Sequence, residues 1–249
     1  MRQTKKGFLT KICCGFSALV ALLPIHVFGQ AQTYFDTHAS IVGPISNGRF
    51  GAAIDCSDGS ASSHVSLIAV GAPDASNGEG RVYVYSVADT PTLLITLQAP
   101  SPAQNYHFGS AVAFIPDFNA DGKEDLLIGE ASDPLIRDPR IYVYQSGGQP
   151  SFSYCHYASN SGSSFGSVIH GYRLFGAQSS RFIAGIPTDA SAIPYGITAA
   201  GPSCATFSLK PRSGQPGFGA SITEVPGDFD LDSEVDTIIG GPLGFANSG

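Results

Sequence analysis

A Phe-Gly pair returns four times in this chain, at Phe50-Gly51, Phe108-Gly109, Phe165-Gly166 and Phe218-Gly219, with spacings of 58, 57 and 53 residues. A small residue follows each pair: Ala52, Ser110, Ser167 and Ala220. A second signature belongs to each copy, a β-type run whose glycine falls 20–22 residues after the Phe. Its four versions are LIAVGAP (Leu67 to Pro73), LLIGEA (Leu126 to Ala131), FIAGIP (Phe182 to Pro187) and TIIGGP (Thr237 to Pro242). A period of this length constrains the architecture more than any single motif does. Each copy is one supersecondary unit that needs its neighbours to cover its apolar face.

The content of a unit is legible from its alternation. RVYVYS at Arg81 to Ser86 and RIYVYQS at Arg140 to Ser146 alternate aromatic and β-branched residues with a period of two, which reads as strand. A further strand-like run closes each unit: LLITLQ from Leu93, FSYCHY from Phe152 and TFSLK from Thr206. No segment after the N-terminal leader sustains a 3.6-residue apolar period, so the expected class is all-β, with about four short antiparallel strands per unit. Such a sheet alone leaves an apolar face open, and radial stacking of copies into a β-propeller covers it. The unit is too long for a solenoid coil and too short for a sandwich domain. In this reading the Phe wedges between neighbouring sheets, and its Gly lets the innermost strand approach a crowded axis.

The units then occupy residues 47–107, 108–164, 165–217 and 218–249. The fourth stops before its third and fourth strands, and 32–46 is a candidate closing strand. The expectation is about three and a half blades of an incomplete propeller, left with an unpaired edge. Composition agrees with a folded chain. Charged residues are 13%, half the roughly 25% of an average soluble domain, while apolar residues stay at 43%, ample for a core. The net charge of −7 argues against a nucleic-acid partner held by phosphate neutralisation.

Residues 1–31 read as a secretory signal peptide. Arg2, Lys5, Lys6 and Lys11 precede an apolar run from Ile12 to Phe28, with no acid before Asp36 and small residues for cleavage at Gly29 and Ala31. Pro24 and His26 break that run short of a membrane span of about 20 residues, and no other segment could cross a bilayer. Cleavage would remove four basic residues and no acids, taking the charge to about −11. It would leave Cys56, Cys155 and Cys204, an odd number that permits one bridge. The implied location is secreted or cell-surface, periplasmic in a Gram-negative cell.

Two loops carry chemistry. Repeat two reads DFNADGKEDLLIG and repeat four DFDLDSEVDTIIG. Asp117, Asn119, Asp121 and Asp125 stand at positions 1, 3, 5 and 9, as do Asp228, Asp230, Asp232 and Asp236. Oxygen ligands on alternate residues of a tight loop converge on one point, which suits Ca2+ with its 6–8 oxygens. Position 7, Lys123 or Glu234, would contribute its backbone carbonyl. Gly122 permits the sharp turn, where repeat four has Ser233. An EF-hand needs a bidentate Glu at position 12, and Ile128 and Ile239 stand there inside β-type runs. Without a cation, each close pair of these carboxylates would cost on the order of 1 kcal/mol. Repeats one and three lack the pattern: Asp55 and Asp58 do not continue an alternating series, and HGYRLFGAQSS holds no acid.

Phe-Gly followed by Gly-Ala-Pro resembles the FG-GAP repeat of the integrin α-subunit propeller and its secreted bacterial relatives. Repeat one matches both halves literally at Phe50-Gly51 and Gly71-Ala72-Pro73, and the likeness extends from Asn47 to Pro242. The resemblance implies a propeller that usually closes with seven blades, some of them free of metal, and a role in adhesion or recognition. The implied partner is a protein or glycan held by loops at one face of the disc. The alternative is a propeller module of a secreted carbohydrate- or phospholipid-active enzyme. Nothing else in the sequence favours catalysis. Gly162-Ser163-Ser164-Phe165-Gly166 satisfies G-x-S-x-G but sits at a repeat start rather than a strand-to-helix elbow. His38, His64, His107, His156 and His170 share no spacing.

Overall fold

The computed structural model describes residues 40–57, 66–87, 90–117, 121–132, 138–145, 150–156, 164–172, 180–198, 201–203, 217–225 and 236–241. The signal segment, Cys204 and the run from Thr206 lie outside the described residues. Four antiparallel sheets, built in chain order, hold nearly all the secondary structure. The first takes β1 (Ala53–Cys56), β2 (Leu67–Ala72), β3 (Arg81–Ser86) and β4 (Thr92–Leu97) as a meander. The second repeats it with β5 (Phe108–Ile115), β6 (Asp125–Glu130), β7 (Arg140–Tyr144) and β8 (Pro150–His156). The third has β9 (Val168–Tyr172), β10 (Ser180–Ile186), β11 (Ser191–Thr198) and β12 (Gly201–Ser203). The fourth pairs β13 (Ser221–Glu224) with β14 (Thr237–Gly240). All are open sheets, and no closed barrel forms among the described residues. Helix is confined to single turns at Ala75–Gly78 and Pro187–Asp189.

Each Phe-Gly pair is the middle of a tight turn. The carbonyls of Arg49, His107, Ser164 and Gly217 accept the amides of Ala52, Ser110, Ser167 and Ala220 at 3.0–3.2 Å. The third residue of such a turn needs positive φ, and the glycines stand at +88°, +88°, +78° and +92°. Turn chemistry, rather than approach to an axis, is therefore what demands glycine in the pair. The small residue that follows has its own reason in two copies, where the Ser110 and Ser167 hydroxyls donate to the same turn carbonyls.

The alternation of the strands sends two different faces to two different neighbours. Ala69, Val82 and Val84 of the first sheet pack on Val112, Ile128, Tyr142 and Tyr144 of the second, with Phe108 buried among them. The opposite face of the second sheet, with Ala113, Leu127, Ile141 and Val143, packs on Phe182, Ala184 and Ile193 of the third, around Phe165. Aromatic residues thus look back to the preceding sheet and β-branched ones forward. Phe108 meets Tyr142 and Tyr144 with ring centroids 5.7 and 5.8 Å apart in edge-to-face geometry.

First strands carry most of the contact between sheets: β5 lies against β1 and β2, β9 against β5, and β13 against β9. Backbones come closest where glycine faces glycine. A side chain on Gly71, Gly129 or Gly185 would overlap the carbonyl oxygen of Gly109, Gly166 or Gly219 of the next sheet. This explains the second sequence signature, since only a residue without Cβ admits that approach. Side chains add ties across the junctions. Asp55 Oδ2 on β1 accepts the Phe114 amide of β5 at 2.6 Å, the Tyr144 hydroxyl donates to the Gln98 carbonyl at 2.6 Å, and the Tyr172 and Thr237 hydroxyls bond each other.

Candidate metal loops and the turn face

The second repeat's acidic loop joins β5 to β6. Its first carboxylate organises the chain: Asp117 accepts the Asp121 amide on Oδ1 at 3.1 Å and the Gly122 amide on Oδ2 at 2.6 Å. Asp121 Oδ1 in turn accepts the Lys123 amide at 2.9 Å. Gly122 stands at φ +83°, as the sharp bend requires. Asp121 and Lys123 are exposed, Asp117 is half-buried, and Asp125 is fully buried at the start of β6 opposite Ile115. Of the sequence candidates in this loop, only Asn119 lies outside the described residues.

In the fourth repeat Asp228, Asp230, Asp232 and Glu234 lie outside the described residues, and Asp236 alone is placed. Its carbonyl accepts the Val225 amide at 2.9 Å, seven residues after Phe218. Asp125 faces Ile115, seven residues after Phe108, so the ninth positions of the two loops share one register.

Among the described residues, no group of three or more His, Cys, Asp or Glu side chains is gathered as a metal cluster. The donor chemistry of the second-repeat loop nevertheless fits a hard cation. Every candidate atom is an oxygen. A carboxylate that already accepts backbone amides keeps further lone pairs, since two oxygens offer about four acceptor sites.

The opposite end of the sheets carries a different constellation, which the sequence did not signal. The turn after Gly71-Ala72-Pro73 places Asp74 between two repeats. Its Oδ1 lies 3.1 Å from His107 Nδ1 and its Oδ2 3.6 Å from Arg49 Nε. Arg49 and His107 each immediately precede a Phe-Gly pair, so Asp74 ties its own unit and the next at one point. Asp74, Asn77, Gly78, Gln104, Asn105 and His107 line an open polar cleft of about 560 Å³. In the third repeat Ser164 and Thr188 take the places of Arg49 and Asp74, and their hydroxyls lie 3.1 Å apart. Ser164 is the serine of the G-x-S-x-G match, and the turn there leads into the strand β9, not a helix.

No helix of the described residues is long and apolar enough to cross a membrane. No family model matches the chain. Two curated relatives are similar over part of it. Integrin alpha-2 of Bos taurus is 30% identical over 102 residues, 38% of this chain and 8% of the relative. Integrin alpha-10 of Homo sapiens is 40% identical over 76 residues, 28% of this chain and 6% of the relative. The matched stretches span less than a tenth of either relative.

Proposed function

We propose that this chain is an extracellular recognition module: an FG-GAP β-propeller, stabilised by calcium, that binds a protein or glycan through its face loops and performs no catalysis. The observation that carries this reading is the junction made three times with the same atoms. A meander sheet that meets each neighbour through one constant contact repeats one rotation per unit, which is how propeller blades are arranged. The partial likeness to integrin α chains supports an adhesion role outside the cell, and residues 1–31 would direct the chain there. Binding is assigned to the loops because they vary from unit to unit while the sheets beneath them repeat.

Calcium would be held by Asp117, Asn119, Asp121, Asp125 and the Lys123 carbonyl, and in the fourth repeat by Asp228, Asp230, Asp232, Asp236 and the Glu234 carbonyl. The ion supplies charge neutralisation. The chain's own contribution is the Asp117 bracket, which bends the backbone so that alternate side chains can converge. The test is binding of the secreted chain to arrays of extracellular proteins and glycans, in calcium and in chelator, beside a turnover assay on the same glycans. Calcium-dependent capture without turnover is expected. Turnover, or capture no better than that of an unrelated all-β domain, would sink the reading.

A further inference from the structure

The three internal junctions define what a finished sheet-to-sheet contact looks like. Two residues before the glycine that meets the next sheet, Ala69, Leu127 and Ile183 are 0%, 0% and 2% exposed. Ile238 holds that position in the fourth sheet and is 58% exposed. Gly240 beside it is approached only by Ser221 of its own sheet. This end offers a glycine and an isoleucine with no Phe-Gly pair against them.

The first sheet presents the reciprocal half. Val112, four residues after Phe108, is 7% exposed, whereas Ile54, four residues after Phe50, is 61% exposed. Gly51 holds the same turn conformation as Gly109 and Gly166, yet among the described residues nothing approaches it. Phe108 and Phe165 are fully buried. Phe50 is half-buried and has for ring partners Tyr83 and Tyr85 of its own sheet.

A single exposed isoleucine on a surface means little. Two of them, at the matching positions of an interface that is buried wherever it is completed, are the two halves of that interface. We propose that these halves meet between molecules. A second copy of this chain sets Gly240 and Ile238 of its fourth sheet against Gly51 and Ile54 of the first sheet, head to tail. The two surfaces differ, so the contact is heterologous and runs on into a ring or an open chain of copies. The inference rests on the sheet junctions alone and needs neither calcium nor ligand.

Sedimentation velocity of the full chain over a micromolar concentration series tests it. Association that grows with concentration is expected. Ile54→Arg and Ile238→Arg should each weaken it by roughly tenfold or more, as a charge set into a buried apolar contact does. Both positions are exposed in one copy, so the melting of dilute samples should not change. Mixing the two variants should restore a 1:1 pair, because each retains the half that the other has lost. A monomer at every concentration, association that survives both substitutions, or no recovery on mixing would each overturn the proposal. The first of these outcomes would leave the two faces to further Phe-Gly sheets of other origin.

Discussion

Gly129 of the second sheet lies against the carbonyl oxygen of Gly166 in the third, so closely that a methyl group in place of its hydrogen would overlap that oxygen. Gly129 does not sit at positive φ, so its own backbone would accept alanine. The cost of Gly129→Ala is therefore the contact itself. Overpacking of this kind costs about 1–3 kcal/mol or more. Gly240→Ala, which meets only Ser221 of its own sheet, should cost less than about 1 kcal/mol. Urea unfolding of both variants checks this, and equal losses would mean that the glycine pair is not the junction.

Calcium in hundredfold excess over its Kd should stabilise the chain by about 2.7 kcal/mol per site, with the melting temperature falling in chelator. Asp121→Ala should remove much of the second-repeat response. Asp117→Ala should do more, because it also frees the amides of Asp121 and Gly122. Melting that is the same in calcium and in chelator would refute the metal assignment.

Asp55 separates structure from metal binding. Its carboxylate accepts the Phe114 amide across the first junction, so Asp55→Ala leaves that amide without its acceptor, at about 1–3 kcal/mol. Asp55→Asn keeps an acceptor and should lose less. Calcium titrations of the two variants should overlay the parent's, and a shifted titration would move the metal site toward β1.

Tyr144 ties stability to alkaline pH. Burial, with Tyr142 and Glu130 nearby, pushes its hydroxyl pKa well above the ordinary value. The folded state thus favours the neutral phenol. Its contribution is complete below the unfolded pKa of about 10 and declines as pH rises toward the folded value. Tyr144→Phe should cost roughly 1 kcal/mol at neutral pH through the lost bond to Gln98. It should also flatten the loss of stability above pH 10, and an unchanged alkaline limb in denaturant titrations would count against this.

The all-β class and the strands of the first two units are legible in the sequence because alternation reports directly which side chains face a neighbour. The glycines are legible too, but the pattern suggests the wrong reason for half of them. Those in the Phe-Gly pairs serve a turn, and those of the second signature serve the close approach. Their pairing is invisible, since Gly71 and Gly109 belong to different units and nothing local links them. The third strand of the third unit escapes notice because Pro194 interrupts its pattern. It is tolerated there because β12 reaches only as far as Gly196, so that side of β11 is an edge at Pro194. The turn at Ser76 and Asn77, with φ of +55° and +59°, has no hydrophobic period to announce it. The metal loops show the limit in the other direction: spacing names their residues, while the Asp117 bracket emerges only in three dimensions.

Because every junction joins the same two backbone positions, heredity can act on this chain in whole units. A gene segment copied from one Phe-Gly pair to the next carries a matching glycine at one end and a matching turn at the other. It can be spliced between existing neighbours without redesigning either. A single-residue insertion within a strand has no such licence, since it reverses which face every later side chain presents. Drift in unit length, from 58 to 57 to 53 residues, therefore belongs to the connectors, and the lineage of such a chain is better counted in units gained and lost than in substitutions.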